Sequence, residues 1–184
     1  MHENDVLTTY LENMTAAAST QEIWGDAIML TCTAYVTDQL PPLNYVSSVR
    51  GVVTKDDALL VITDPDGSDH IVPGGRVENG ESVLETLERE ILEETGWTIS
   101  NPVLLGVLHF RHLKPKPPDY RYPYPDFLHL IYRAEAATHL PGRMVPDAYV
   151  SSIRFVPLVQ ASTLALPATQ VPFLHAVIEN MRAV

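Results

Sequence analysis

The stretch that decides the fold runs Pro73-Gly74-Gly75-Arg76-Val77-Glu78-Asn79-Gly80-Glu81-Ser82-Val83-Leu84-Glu85-Thr86-Leu87-Glu88-Arg89-Glu90-Ile91-Leu92-Glu93-Glu94-Thr95-Gly96-Trp97. Pro73-Gly74-Gly75 is a tight backbone turn, open enough to bring a carbonyl to a cation or N–H groups to a phosphate. From Ser82 to Glu94 the apolar spacing predicts a helix that buries Val83, Leu84, Leu87 and Ile91 on one face. Seven glutamates fall within residues 78–94 (Glu78, Glu81, Glu85, Glu88, Glu90, Glu93 and Glu94), and Arg89 is the only base among them. A solvated amphipathic face is the ordinary reading of a glutamate-rich helix. The spacing argues against it here. Glu90 neighbours Glu93 and Glu94 at i+3 and i+4, and like charges so placed cost a helix about 0.2–0.5 kcal/mol per pair. A hard divalent cation turns that cost into a use, because Mg2+ takes oxygen ligands and shares them with substrate phosphates. Arg89, four residues after Glu85 and four before Glu93, is positioned to hold a carboxylate in one rotamer.

Working outward, Tyr45 to Thr54 and Ala58 to Thr63 are rich in β-branched and aliphatic residues. Lys55-Asp56-Asp57 makes a turn between them. Asp64-Pro65-Asp66-Gly67 is a further turn signal, and His70 to Val72 a short strand leading into the glycine turn. Pro102 to Leu113, Phe127 to Ala136 and Ser151 to Pro157 read as later strands, and Thr169 to Met181 as a closing helix. The first 44 residues read differently. A short helix is expected over Asp5 to Met14. Ser19-Thr20-Gln21-Glu22 fits a capping box, followed by Ile23, Ala27, Ile28, Thr31, Ala34 and Tyr35 at helical spacing. Pro41-Pro42 ends that unit. The chain is thus divided into a helical extension, residues 1–44, and an α+β domain, residues 45–184.

The bulk composition sets bounds. A chain of 184 residues with 46% hydrophobic and 19% charged content is long enough for one well-buried domain. A lone cysteine, Cys32, excludes an internal disulfide and a cysteine-based zinc site, and is read as core. The start, Met1-His2-Glu3-Asn4-Asp5, is acidic where a secretory signal is basic, and no early apolar run spans a bilayer. A soluble, cytoplasmic protein is expected. The formal net charge of −11 repels nucleic acid and anionic membranes, so neither is expected as a partner.

Gly75, then five residues, Glu81, then seven residues, then Arg89-Glu90-Ile91-Leu92-Glu93-Glu94-Thr95-Gly96-Trp97 resembles the Nudix box in full. Only Trp97 departs from it, where the family carries an aliphatic residue. The resemblance implies a Nudix-type α/β/α sandwich on a mixed sheet, and Mg2+-dependent cleavage of a diphosphate linkage by water (Mn2+ substituting). It implies that Glu90, Glu93 and Glu94 ligate the metal, with the Gly74 carbonyl as a further ligand and Glu81 supporting a second ion or water. Arg89 orients these groups, and Glu90 and Glu93 serve catalysis. Glu90, Asp119, Asp126 and Glu135 are the candidate general bases. The implied substrate is a small-molecule nucleoside diphosphate derivative, either a nucleoside triphosphate or a nucleotide sugar such as ADP-ribose, and a homodimer is one expected assembly. A Nudix-fold binding or regulatory module without turnover is the alternative. The intact box, and the lack of a basic recognition helix after Ala161, weigh against it.

Substrate recognition points to the long loop between the later strands. Arg111, Lys114, Lys116 and Arg121 are four of the chain's twelve basic residues, gathered within eleven positions. Tyr120, Tyr122, Tyr124 and Phe127 interleave with them, a combination suited to phosphate and base. Arg50, on the first domain strand, is a further candidate. His109 and His112 are read as ordinary polar residues, since three positions apart on a strand do not face one way.

Overall fold

The computed structural model describes residues 3–25, 28–116, 118, 120, 122–145 and 150–182. A helix α1 (Glu3–Glu12) precedes strands β1 (Ala18–Trp24) and β2 (Ile28–Val36). Strands β3 (Val46–Lys55), β4 (Ala58–Thr63), β5 (Asp69–His70) and β6 (Gly74–Arg76) then lead into helix α2 (Val83–Thr95). Two long strands follow, β7 (Trp97–His112) and β8 (Asp126–His139), then β9 (Ser152–Pro157) and the closing helix α3 (Val171–Arg182).

The strands hydrogen-bond in the order β1-β2-β7-β8-β3-β4-β5, with β6 on β3 and β9 on β4. Only β3 and β8 run parallel, so the sheet is mixed, as expected. β3 pairs with β4 only next to their turn, Thr54 with Leu59 and Lys55 with Ala58. β9 lines the other edge of β4 from Ala58 to Thr63, while Ser48, Val49 and Arg50 of β3 pair with Arg76, Gly75 and Gly74 of β6. The sheet therefore splits along β3, and the glycine turn enters the split.

Helices cover both faces of the sheet, α2 on one, where Leu7 of α1 also packs against Leu128, and α3 on the other. Leu87 and Ile91 of α2 are fully buried against Val49, Val53, Leu60, Val107 and Leu130. Phe173, Leu174 and Val177 of α3 pack on the other face, against Leu30, Val52, Leu59, Phe110 and Ile131. Burial of each such side chain contributes about 1.5–3 kcal/mol. Leu84 departs from the expected apolar face and is 43% exposed. It shares its side of α2 with Ile91 but stands in the first turn of the helix, about 10 Å before Ile91 along the axis. No helix among the described residues is long and apolar enough to cross a membrane.

The N-terminal segment is helical only in α1. The helix expected after Ser19 is instead an antiparallel hairpin, Ala18 to Trp24 paired with Ile28 to Ala34, and β2 continues onto β7. Leu30, Cys32 and Ala34 reach the core at a period of two. Ser19 does not cap a helix; its hydroxyl lies 3.0 Å from that of Thr33 across the hairpin. The β-branched residues of the segment (Thr20, Ile23, Ile28, Thr31, Thr33 and Val36) favour this outcome once a partner strand is available. Residues 18–24 and 28–36 are thus two strands of the same sheet, and Cys32 is fully buried in its core.

Candidate functional site

Helix α2 begins at Ser82, whose hydroxyl accepts from the Glu85 amide (3.3 Å) while the Glu85 carboxylate accepts from the Ser82 amide (2.8 Å). This reciprocal cap uses up Glu85, so Arg89 does not hold it as the spacing suggested. Arg89 reaches three other carboxylates. Its Nε donates to Glu81 Oε1 at 2.7 Å and its Nη2 to Glu81 Oε2 at 2.9 Å, a fork-on-fork pair. Its Nη1 donates to Glu90 Oε1 at 2.9 Å and to Glu93 Oε2 at 3.1 Å. The Arg76 carbonyl accepts from Nη2 at 3.2 Å, fastening the guanidinium to β6. These bonds push the Glu81 carboxyl down to about 2, chiefly through Arg89, with the Thr86 hydroxyl assisting. The same pairing holds the Arg89 guanidinium above its ordinary value.

The glycine turn supplies the opposing wall. Gly74 has φ +137, and a Cβ there would lie 2.3 Å from the Val49 carbonyl oxygen. A Cβ on Gly75 would lie 2.4 Å from the Glu90 carboxylate. Both positions demand glycine because backbone and carboxylate already fill the space. The Gly74 amide donates to Glu94 Oε2 at 2.7 Å, and the Gly75 carbonyl accepts from the Ser48 hydroxyl at 2.6 Å. Four predicted residues, Glu81, Arg89, Glu90 and Glu93, therefore meet in one polar cluster, and Gly74 and Glu94 pair beside it. Among the described residues no three acidic or imidazole groups surround a common point as ligands would. Arg89 stands among the carboxylates instead.

Arg50 leaves β3 on the other face of the sheet and donates to the Val72 carbonyl at 3.1 Å. Burial lowers its pKa, and the fields of Glu94 and Glu90 oppose that shift. Arg50 also lines a cavity of about 180 Å³ with Arg76, Tyr120, Tyr122, His112, Phe127, His129 and Trp24. Arg76 lies 4.7 Å over the Tyr122 ring. His112 Nε2 is 2.8 Å from the Tyr120 hydroxyl, and Phe110 stacks on Phe127 at 5.0 Å. Burial lowers the pKa of His112.

The remaining predicted residues lie elsewhere. Arg111 binds both oxygens of Asp126 (3.2 and 3.1 Å), and Asp126 also meets His109 Nε2 at 2.8 Å. Arg111 and Asp126 line a separate small cavity with Leu7 and Leu11 of α1. Lys114 and Lys116 are exposed and do not line the aromatic cavity. Glu135, at the far end of β8, accepts from Asn101 at 3.3 Å. Asp119 and Arg121 lie outside the described residues. Sequence reasoning missed Trp24, Arg76, His112 and His129. One signal was present: Phe110 and His112 alternate on β7, as Phe127 and His129 do on β8, so each pair shares one sheet face.

Comparison with known proteins adds a third line of observation. The NUDIX domain model matches residues 44–178 of this chain. An uncharacterized Nudix hydrolase of Bacillus subtilis (strain 168) is 41% identical over 69 residues, 37% of this chain and 44% of that protein. The ADP-ribose pyrophosphatase of Methanocaldococcus jannaschii is 43% identical over 63 residues, 33% of this chain and 37% of that protein. Both matches span less than half the length of the relative. A pyrophosphohydrolase of Bacillus subtilis shares the fold, with a TM-score of 0.60 at 17% identity over 89% of this chain and 97% of its own.

Proposed function

The chain belongs to the NUDIX domain family, and on that premise we propose that it is a Mg2+-dependent hydrolase that cleaves the diphosphate linkage of a nucleoside diphosphate derivative. One observation carries the reading: Glu81, Glu90 and Glu93 converge on Arg89 directly against Gly75, with Glu94 on the Gly74 amide. The donor set is all oxygen and strongly anionic, which fits a hard divalent cation. Glu90, Glu93, Glu94 and the Gly74 carbonyl would hold the ion, with Glu81 beside it. When bound, such an ion polarises the phosphoryl oxygens and neutralises charge as water attacks phosphorus.

The chain's own residues do the rest. Arg89 keeps several carboxylates from repelling one another and aims Glu90 and Glu93. Glu90, pressed against the glycine turn, is the group we assign to accept the proton of the attacking water. Asp126 is already bound to Arg111 and His109, so we do not assign it this role. Arg50 and Arg76 supply cations toward the substrate phosphates, with Tyr120 and Tyr122 beside them. Arg111, Lys114 and Lys116 receive no substrate role. Residues 45–184 carry the catalytic groups, and β1 and β2, strands of the same sheet, border the substrate. The name of the Methanocaldococcus relative supports ADP-ribose as the first compound to try, with nucleoside triphosphates next.

Glu93→Gln and Glu94→Gln should each lower turnover on the order of 100-fold or more, with circular dichroism unchanged. Millimolar Mg2+ should raise the melting temperature, since a ligand bound only by the native state stabilises it. Full turnover in both variants would overturn the assignment.

A further inference from the structure

His129 has an environment that diphosphate cleavage does not require. It is 7% exposed, at the floor of the aromatic cavity, and it borders a second, larger cavity beside it. Its ring lies 4.5 Å from Phe110 and 5.7 Å from Phe127. Among the described residues neither ring nitrogen has a hydrogen-bond partner, yet no fully enclosed side-chain polar atom is left unsatisfied. The imidazole nitrogens therefore open onto the cavity. Burial, then the cations Arg50 and Arg76, keep the ring neutral at pH 7. A neutral imidazole presents one donor and one acceptor, while both arginines can only donate.

Trp24 forms the wall beside it. Its indole lies 6.1 Å from the His129 ring, 5.0 Å from Phe110 and 5.8 Å from Phe127. Its N–H donates to Glu22 at 2.8 Å, which fixes the ring plane from within its own strand. The indole is 37% exposed, a large apolar surface left open at the cavity mouth. Trp24 also lies outside residues 44–178, so this wall is not part of the matched family domain.

A slot with aromatic walls, a neutral donor–acceptor group at its floor and arginines at one end suits a flat heteroaromatic ring joined to phosphate. Stacking needs a π-face, and the imidazole needs a ring edge carrying nitrogen or oxygen. An alkyl chain offers neither, and a sugar has hydroxyls but no π-face. We propose that Trp24 and His129 are specificity-determining residues, Trp24 stacking on the nucleobase of the substrate and His129 hydrogen-bonding its edge. This rests on the reading above, in which the diphosphate lies at Arg50 and Arg76.

The test separates recognition from cleavage. The chain has two tryptophans, so Trp97→Phe leaves Trp24 as the only indole emitter. In that background, without metal, adenosine or uridine 5′-monophosphate should quench emission saturably, while ribose 5-phosphate at equal concentration should not. His129→Ala should weaken nucleotide binding about tenfold or more. His129→Gln, which keeps a donor and an acceptor, should stay within about threefold of the parent. Equal quenching by ribose 5-phosphate, or nucleotide binding undiminished in both His129→Ala and Trp24→Ala by calorimetry, would overturn the proposal. With active enzyme, Trp24→Ala should raise KM about tenfold and leave kcat within about threefold. A fall in kcat at constant KM would count against it. Absence of turnover in the unmodified protein would sink the hydrolase reading alone, since the metal-free binding result stands by itself.

Discussion

The two sides of β3 are built on opposite plans. On the α2 side the ionic groups satisfy one another: a single guanidinium engages Glu81, Glu90 and Glu93, and Glu94 receives the Gly74 amide. On the other side the aromatic cavity leaves the His129 nitrogens open and the Trp24 ring about a third exposed. The first region is complete without a ligand and must exchange partners to receive one. The second is incomplete until something fills it. Damage to the first should therefore cost turnover and stability together, whereas damage to the second should cost affinity and little else.

Four substitutions can break or sharpen that contrast. The largest effect is expected from Arg89→Met, which leaves three carboxylates facing one another without a counter-charge. Turnover should fall on the order of 100-fold, as when a group orienting metal ligands is lost, and Mg2+ should restore part of a lowered melting temperature. Unchanged kcat and melting temperature would show that Arg89 is dispensable, and the contrast would fail. Gly75→Ala comes next: its Cβ would meet the Glu90 carboxylate at 2.4 Å, so urea unfolding should reveal a loss of about 1–3 kcal/mol.

Acid should also act on the two regions differently. The Glu81 carboxyl is held down at about 2 from an ordinary 4.5. A depressed folded-state value stabilises the protein above the unfolded value, and the contribution drains away as pH falls from 4.5 toward 2. The stability gap between the unmodified protein and Glu81→Gln should accordingly narrow over that window. A gap that stays constant would deny the linkage. Arg111→Ala should do least. Its pair with Asp126 is more than half exposed on the arginine side, so a cost below about 1 kcal/mol is expected, with nucleotide quenching untouched.

The legibility of the two regions differs for the same physical reason. The carboxylate cluster is almost local: Gly74 to Glu94 is one turn and one helix, and i+3 and i+4 neighbours can be counted from spacing alone. Even there, tertiary detail intervened, since the Ser82 cap claimed Glu85 and gave Arg89 to Glu81. The mixed sheet between two helices was legible from the alternation of strands and helices. The hairpin was not, because Ile23, Ile28, Thr31 and Tyr35 fit a helical period while Leu30, Cys32 and Ala34 fit a period of two. The deciding factor was β7, a partner seventy or more residues away that accepts β2 from Leu30 to Val36. The aromatic cavity depends on register, with Phe110 opposite Phe127 and Leu108 opposite His129, and no local pattern encodes that alignment. Interleaved tyrosines did point to Tyr120 and Tyr122, whereas Lys114 and Lys116, equally suggestive as cations, remain in solvent.

The position of β1 at the rim of the sheet has a consequence for how this protein can be altered. Trp24 ends an edge strand, bonded on one side only, and is followed by a turn at Gly25 with φ +55. The glutamates sit on a helix clamped over the middle of the molecule. On the proposed reading, choice of guest and breaking of the bond are mounted on separate parts, one at the rim of the sheet and one on α2. If Trp24 selects the ring as proposed, a graft of residues 18–36 is a direct route to redirect which ring is admitted while the proposed water-activating glutamates are carried over intact.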